Sequence, residues 1–190
     1  MEIKLYKHKI PNWEDHRDTL IGMIPKVDKH KDADHETDFF LEDFFVNTNT
    51  EDSSPELLGK HEQGWHHTDY LKETQIKYRE YAHNLIKSLV EESLGNFDFA
   101  KTWYSRQVKG EGHPEHDHGT IGFASVLYVK FNPEVHKPTE YRFPRTDRFT
   151  SLPVEEGEIV IFPSLLKHRA PINEVDEERI IIAINITADN

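Results

Sequence analysis

Three histidines in the second half of the chain have the spacing expected of a metal site. His116 and His118 are two residues apart, so on an extended strand both rings would point to the same side and Asp117 would face away. His168 ends a later apolar run and would complete the site if the two strands are neighbours. Since imidazole is the commonest metal ligand in proteins, the spacing predicts one metal ion held by these three histidines.

An arginine follows the third histidine on the next predicted strand. Arg179 opens that strand after a segment containing Pro171 and Asn173, which favour a tight turn. We expect the turn to bring Arg179 onto a strand adjacent to that of His168. The predicted metal ligands and a fixed cation would then share one region of the fold.

A series of short predicted strands surrounds these residues. After Gly95, apolar runs alternate with Gly, Pro, Asn and Asp, and no helical pattern lies between them. The predicted strands are 101–108, 121–131, 140–143, 158–162 and 179–186. Such a series is typical of an antiparallel sandwich or barrel, in which we expect the last two strands to be central because they are apolar on both faces.

The first half of the chain is predicted to support this β-rich half. Residues 2–10 alternate as in a strand, and 12–24 are predicted as a short helix. A longer helix is predicted over 70–94, with Gly95 ending it. Its apolar residues share one helical face: Tyr78, Tyr81, Ala82, Leu85 and Leu89. We expect this helix to cover one face of a sheet.

A long polar segment separates the two predicted helices. Residues 25–68 are rich in Asp, Glu, His, Thr and Ser and are predicted as loop with short helical turns. Loops of this length in compact domains usually have a function. The aromatic group at 39–45 within the segment is predicted to dock into the core.

Length and composition indicate a single folded domain. A chain of 190 residues with 36% hydrophobic and 31% charged residues is long enough for one core and short for two domains. We expect one domain over 1–190, with helical and loop support in 1–95 and a β-rich core in 96–190. The predicted fold class is α+β with a jelly-roll-like second half.

Charge and cysteine content exclude several functions. A net charge of −12 without a concentrated basic face argues against binding to nucleic acid or anionic membranes. The absence of cysteine excludes disulfides, thiolate nucleophiles and iron–sulfur clusters. No apolar signal region or membrane span is visible, so we expect a cytoplasmic protein. Four of the 13 histidines lie in polar surroundings and are expected at the solvated surface: His8, His30, His35 and His136.

The β-rich half resembles a known enzyme family over residues 101–185. Its motifs are His-x-His at His116 and His118 before a Ser-Val-Leu-Tyr strand, a Gly-x-Ile-Val-Ile-Phe-Pro block before His168, and Arg-Ile-Ile-Ile-Ala-Ile-Asn at 179–185. In order and spacing these motifs resemble the phage and bacterial 2-oxoglutarate/Fe(II) oxygenases related to prolyl 4-hydroxylases.

The resemblance implies a fold, a reaction and a set of site residues. The fold would be a double-stranded β-helix, and the enzyme would use O2 to hydroxylate a peptidyl, prolyl-like or small-molecule substrate while decarboxylating 2-oxoglutarate to succinate. Fe(II) would be held by His116, His118 and His168. Arg179 would hold the far carboxylate of 2-oxoglutarate through its planar guanidinium, and Tyr128 would add a hydroxyl contact.

One departure from the family pattern leaves the ligand set open. The usual site has two histidines and a carboxylate, with the carboxylate two residues after the first histidine, where this chain has His118. Three histidines therefore bind the iron, or the ligand pair is His113 and Glu115, or Asp117 turns towards the metal. The offset to the following strand favours His116 with His118.

Two other functions compete with the oxygenase on sequence grounds. One is a cupin-like metal-binding dioxygenase that does not use 2-oxoglutarate, and the other is a jelly-roll interaction module with incidental histidines. Arg179 separates them from the oxygenase, because only the oxygenase needs a dedicated cation beside the metal. Contacts to the substrate are expected from the segments 25–68 and 137–148.

Overall fold

Two antiparallel sheets and two helices make up the described part of the chain. The computed structural model describes residues 3–29, 33–39, 64–144, 146 and 148–188. Helices are α1 (Trp13–Met23) and α2 (Gly64–Leu94). Strands are β1 (Tyr6–Lys9), β2 (Glu36–Thr37), β3 (Phe97–Gln107), β4 (His113–His116), β5 (Phe123–Lys130), β6 (Glu140–Arg142), β7 (Phe149–Ser151), β8 (Glu158–Pro163), β9 (Lys167–Ala170) and β10 (Arg179–Ala188). None of the helices in these ranges is long and apolar enough to cross a membrane.

The strand order defines a double-stranded β-helix. The six-stranded sheet has the order β1-β8-β5-β10-β3-β2, and the four-stranded sheet has the order β4-β9-β6-β7. From β3 to β10 the chain passes back and forth between the two sheets, interrupted by the β6–β7 hairpin. Eight strands wound in this way form a jelly roll. The predicted fold class is confirmed.

Helices cover the outer face of the six-stranded sheet. The fully buried residues of α2, at intervals of four, are Tyr78, Ala82, Ile86 and Val90. They pack against outward side chains of the sheet such as Leu127 and Ile182. The helical face predicted from the sequence is confirmed, because its other members pack against the same core. Burial of this apolar surface is the main stabilising contribution.

Helix α1 is fixed to the sheet by a close contact with a glycine. The Trp13 ring lies against Gly157, where an added Cβ would come within 2.3 Å of the ring. Gly157 also has a φ of +79°, which side chains other than glycine rarely adopt. Arg17 in the same helix pairs with Glu156 at 2.5 Å. This contact requires glycine at position 157.

The buried carboxylate of Asp38 fixes the short segment formed by residues 33–39. Asp38 is fully buried and accepts hydrogen bonds from the Tyr104 backbone N–H at 3.0 Å, the Tyr78 hydroxyl at 2.5 Å and the Gln75 amide at 3.0 Å. These three donors come from β3 and α2. Residues 33–39 are therefore held at the edge of the six-stranded sheet.

Several sequence predictions need correction. Helix α2 begins at Gly64, so the last part of the predicted loop 25–68 is helical. Three short strands of the four-stranded sheet, β4, β7 and β9, lie outside the five strand ranges predicted from the sequence. Strands β9 and β10 lie in different sheets, so Arg179 does not sit on a strand adjacent to that of His168. Most of the aromatic group at 39–45 lies outside the described residues, and its first member, Phe39, packs against Trp103 with 5.1 Å between ring centroids.

Candidate active site

A cavity of about 290 Å³ lies between the two sheets. The four-stranded sheet and the turn after β4 contribute His116, His118 and His168 to its wall. The inner face of the six-stranded sheet contributes Tyr128 and Arg179. The cavity thus collects all the site residues predicted from the sequence.

The three histidines converge on one point. His116 in β4 lies opposite His168 in β9, as expected for neighbouring strands. The backbone N–H of His118 donates to the Ser164 carbonyl at 2.9 Å, which holds the turn after β4 against the end of β8. One ring nitrogen from each histidine lies within 4.8 Å of the others. Three such donors can bind one side of a metal ion and leave the coordination positions on the other side of the ion open.

The route by which the rings meet differs from the predicted alternation. Strand β4 ends at His116, and a register shift lies between His113 and His116. His118 follows in a turn in which Asp117 accepts a hydrogen bond from the Gly119 N–H at 3.0 Å. Asp117 is exposed and borders the cavity. The prediction that one extended strand presents both rings is therefore wrong.

Hydrogen bonds orient two of the imidazoles. The Nδ1 atom of His168 lies 2.9 Å from the Leu166 carbonyl, and Nδ1 of His116 lies 2.9 Å from the Pro114 carbonyl. A carbonyl accepts only, so Nδ1 carries the proton in each ring. The Nε2 atoms remain free as metal ligands.

Burial keeps the imidazoles of His118 and His168 neutral. Desolvation, with a smaller effect from His116, lowers the pKa of His168 to about 3 and that of His118 to about 4. A neutral imidazole is the form that binds a metal ion. The donor set therefore fits a divalent transition metal such as Fe(II), without the carboxylate of the usual triad.

The alternative ligand pair does not come together in the structure. His113 faces the cavity, with its Nδ1 atom 3.5 Å from Asp34. Glu115 forms ion pairs with Arg142 at 3.2 Å and with Lys167 at 3.5 Å. Among the described residues, the three histidines are the only group of three or more ligands whose donor atoms lie close enough to share an ion.

Arg179 is a buried cation with neutral partners. It is 3% exposed, and its guanidinium donates to the Gln107 side-chain oxygen at 2.8 Å and to the carbonyls of Lys137 and Pro171. Burial lowers its pKa to about 10, so it remains charged at neutral pH. The adjacent Glu178 pairs instead with Arg106 and Lys130.

Tyr128 lies deep in the same part of the cavity. Its side chain is 1% exposed, and its hydroxyl accepts a hydrogen bond from the Thr139 N–H at 3.1 Å. Burial raises the pKa of this hydroxyl, with a smaller opposing effect from Arg179. Tyr128 is therefore a neutral hydroxyl on the cavity wall that Arg179 also lines.

Sequence reasoning missed several buried polar residues, two of which line the cavity. Gln107 contacts Arg179, and its place on the inner face could have been read from the alternation along β3. His35 is 5% exposed and packs against the His113 ring, which corrects its predicted place at the surface. His136 is likewise 5% exposed, and its Nδ1 atom accepts a hydrogen bond from the Asn132 N–H. No sequence periodicity marks either histidine as buried.

Known proteins are similar to this chain in sequence pattern and in structure. Residues 101–185 match the family model described as "Putative 2OG-Fe(II) oxygenase". No curated protein matches the chain in sequence.

Solved structures give further similarities. A Pseudomonas putida prolyl-4-hydroxylase has 12% identity and a TM-score of 0.47, over 98% of this chain and 88% of that one. The nickel complex of the non-heme monooxygenase ThoJ has 14% identity and a TM-score of 0.47, over 57% of this chain and 54% of that one. HygX from Streptomyces hygroscopicus, with nickel and 2-oxoglutarate bound, has 11% identity and a TM-score of 0.45, over 55% and 64%. The chain spans about half the length of ThoJ and of other structures that it matches, at 54%, 50% and 53%.

The matched range coincides with the range over which the sequence motifs resemble this family, and it contains the three histidines, Tyr128 and Arg179. It also agrees with the cofactors predicted from the sequence, Fe(II) and 2-oxoglutarate. Over residues 101–185 the chain is therefore similar to the 2OG-Fe(II) oxygenase family.

Proposed function

We propose that this chain is an Fe(II)- and 2-oxoglutarate-dependent oxygenase, forming a single domain that hydroxylates a peptidyl, prolyl-like or small-molecule substrate. The observation that carries the proposal is the placement of three converging imidazoles and one buried guanidinium in one cavity. A metal ion and a dicarboxylate can bind side by side in such a cavity.

His116, His118 and His168 would hold the iron. Their donors lie on one side of the cavity, so positions on the opposite side stay available for the co-substrate and O2. The bound iron would supply the redox chemistry of O2 activation. The protein would contribute the orientation of the ligands through the carbonyls that accept from His116 and His168.

Arg179 and Tyr128 would hold the far carboxylate of 2-oxoglutarate. No carboxylate among the described residues pairs with Arg179, although a buried charge without a counter-charge is costly. An anionic ligand in the cavity removes this cost. A guanidinium and a neutral hydroxyl both donate hydrogen bonds, as a carboxylate requires.

The substrate would enter beside the segment held by Asp38. Asp34, His35 and Phe39 of this segment line the cavity, together with Trp103. The Phe39–Trp103 pair presents an aromatic surface next to the histidines, since the Trp103 ring lies 5.6 Å from that of His118. An apolar C–H group can pack on this surface within reach of the metal.

Anaerobic titration tests the proposal. The purified protein is loaded with Fe(II) without oxygen, and 2-oxoglutarate is added while the visible metal-to-ligand charge-transfer band is recorded. We expect one Fe(II) per chain and a band that appears only with 2-oxoglutarate. Admission of O2 should then form succinate in step with loss of the band. Absence of the band at saturating Fe(II) and 2-oxoglutarate would favour the cupin-like alternative.

A further inference from the structure

The charged side chains that line the cavity are unevenly placed. Apart from the histidines, the lining includes one cation, Arg179, which would be occupied by the far carboxylate of 2-oxoglutarate. It also includes the carboxylates of Asp34 and Asp117, both exposed to solvent where they border the cavity. With the co-substrate bound, the space left for a substrate would therefore be lined by negative charge.

Both carboxylates lie beside the predicted metal site. The Oδ2 atom of Asp34 is 3.5 Å from Nδ1 of His113, whose ring lies 4.3 Å from that of His116. Asp117 lies between His116 and His118 in the chain. A group bound by these carboxylates would thus be held close to the metal, where the substrate must react.

In the part of the chain that the structure describes, no lysine or arginine side chain pairs with the carboxylate of Asp34 or Asp117. Lys29 donates to the backbone carbonyl of Asp34 at 3.2 Å, but its ammonium group pairs with the carboxylate of Glu111 at 2.9 Å. Both negative charges at the mouth of the cavity are therefore available to a cationic ligand.

A buried hydroxyl gives independent evidence for a ligand in this part of the cavity. Ser105 in β3 is 5% exposed and lines the cavity, and its Oγ atom has no hydrogen-bond partner among the described residues. In the sheet it lies opposite Thr37, in the segment 33–39 that also carries Asp34. A buried hydroxyl without a partner is costly, and a ligand with hydrogen-bond donors would remove the cost.

Two aromatic rings extend the surface that could hold an organic cation. Phe39 and Trp103 line the cavity, with 5.1 Å between their ring centroids. The negative face of an aromatic ring attracts a cation, and the Lys101 ammonium group, 3.6 Å from the Phe39 centroid, is an example in this molecule. Aromatic rings next to carboxylates are suited to a ligand that combines an ammonium group with apolar carbon.

We infer that the substrate carries a protonated amine, which Asp34 and Asp117 bind at the mouth of the cavity. This inference rests on the proposed function, because it concerns the substrate of that oxygenase. An ammonium group has N–H donors and no acceptor, so carboxylates and a free hydroxyl such as that of Ser105 are suitable partners. The amine can belong to a free metabolite or to a lysine side chain of a peptide.

Matched probes test this charge preference. Pentylamine is compared with pentanol, and N-acetyl-lysine methylamide with N-acetyl-norleucine methylamide, so that each pair differs chiefly in the ammonium group. Binding is measured by ligand-detected NMR on protein that holds 2-oxoglutarate and Zn(II), which does not react with O2. We expect the amine of at least one pair to bind about 10-fold or more tightly than its neutral partner. The preference should shrink in about 1 M salt, which screens exposed charges.

The two pairs also separate the two sources of the amine. A preference confined to the lysine derivative would identify a peptide side chain, whereas a preference shown by pentylamine would identify a free amine.

Charge-removing variants locate the preference in the molecule. Asp34→Asn and Asp117→Asn keep the shape of each side chain and remove its charge. Each should reduce the preference by about threefold, and the double variant should abolish it. Asp98→Asn is the matched control, because Asp98 is exposed, does not line the cavity and carries the same charge. The preference should be unchanged in this control. An equal loss there would show that the net charge of the protein causes the preference, and would overturn the inference.

The remaining outcomes separate this inference from the proposed function. If wild-type protein binds 2-oxoglutarate but prefers neither amine, or binds none of the probes, the inference is overturned and the proposed function stands. A preference that survives in the double variant would also overturn the role of Asp34 and Asp117. Iron-loaded wild-type protein that binds no 2-oxoglutarate would instead refute the proposed function, whatever its preference for amines.

Discussion

The two faces of the six-stranded sheet differ in what they bury. On the outer face, Ile180, Ile182 and Ile184 of β10 are fully buried in an apolar core with the helices. On the inner face of the same strand, Arg179 and Asn185 are nearly as buried but polar. Alternate residues of one strand therefore belong to two environments, one closed by helices and one open to the cavity.

This difference separates stability from binding. Apolar burial on the outer face stabilises the fold without any ligand. On the inner face, a charge lacks a counter-charge and an amide oxygen lacks a hydrogen-bond partner among the described residues, so the apo protein retains a cost that a ligand can offset. We expect outer-face substitutions to change unfolding and inner-face substitutions to change binding.

The largest effect is expected at the predicted metal site in the cavity. His168→Ala should abolish measurable Fe(II) binding, because it removes one of three ligands and His168 is the most buried of them. Anaerobic Fe(II) titration followed by calorimetry measures this loss. Unchanged stoichiometry and affinity would show that the metal binds elsewhere.

A matched pair of variants tests the ligand set. His116→Ala should damage Fe(II) binding far more than His113→Ala, since His113 faces the cavity without joining the converging donors. The two rings are neighbours at 4.3 Å between centroids, so the variants disturb similar surroundings. The reverse ranking would support His113 with Glu115.

The next effect is expected on the outer face. Ile182→Ala should lower the free energy of unfolding by about 3–4 kcal/mol, because a fully buried side chain leaves a cavity between the sheet and the helices. Urea unfolding of the apo protein measures it. Fe(II) and 2-oxoglutarate affinities, measured well below the Tm, should match the wild type. A strong loss of binding would mean that the two faces are not independent.

Substitution of Arg179, on the inner face, should weaken the binding of 2-oxoglutarate, in contrast to substitution of Ile182. Arg179→Ala should weaken 2-oxoglutarate binding roughly a hundredfold, or about 2.7 kcal/mol, and leave Fe(II) binding intact. Arg179→Lys should restore part of the affinity, because lysine offers a point charge without the planar fork. Titration of iron-loaded, oxygen-free protein compares the three. Equal affinities would remove the best support for the oxygenase proposal.

The sequence predicted the longer elements and the types of residue in the candidate site better than it predicted the four-stranded sheet. Alternation and helical periodicity are visible in β5, β10 and α2 because these elements are long enough to repeat a pattern. Strands such as β7 and β9 have three or four residues and form through pairing with neighbours distant in sequence.

The same limit applied to the candidate site. Residue types and order indicated the three histidines, but the turn that presents His118 depends on the Asp117 side chain and the backbone of Gly119, which has a φ of +67°. Asn185 was visible only as part of a motif. The lack of a described partner for its Oδ1 atom is a property of the packed cavity, which no local pattern encodes.

The smallest effect concerns a polar pair on the outer face. His83 of α2 lies 2.7 Å from the Thr102 hydroxyl and stacks on Phe99, and burial, with a smaller effect from Arg79, lowers its pKa to about 4. The unfolded chain binds this proton near pH 6.5, so stability from His83 is complete above that pH and falls as the pH drops from 6.5 towards 4. Because the ring is only partly buried, we expect a loss of unfolding free energy on the order of 1 kcal/mol.

The variant His83→Gln retains a hydrogen-bonding group that does not titrate. Its unfolding free energy in urea should therefore fall less between pH 7.5 and 5 than that of the wild-type apo protein. The other buried histidines contribute equally to both proteins, and identical pH slopes would show that folding does not lower the pKa of His83.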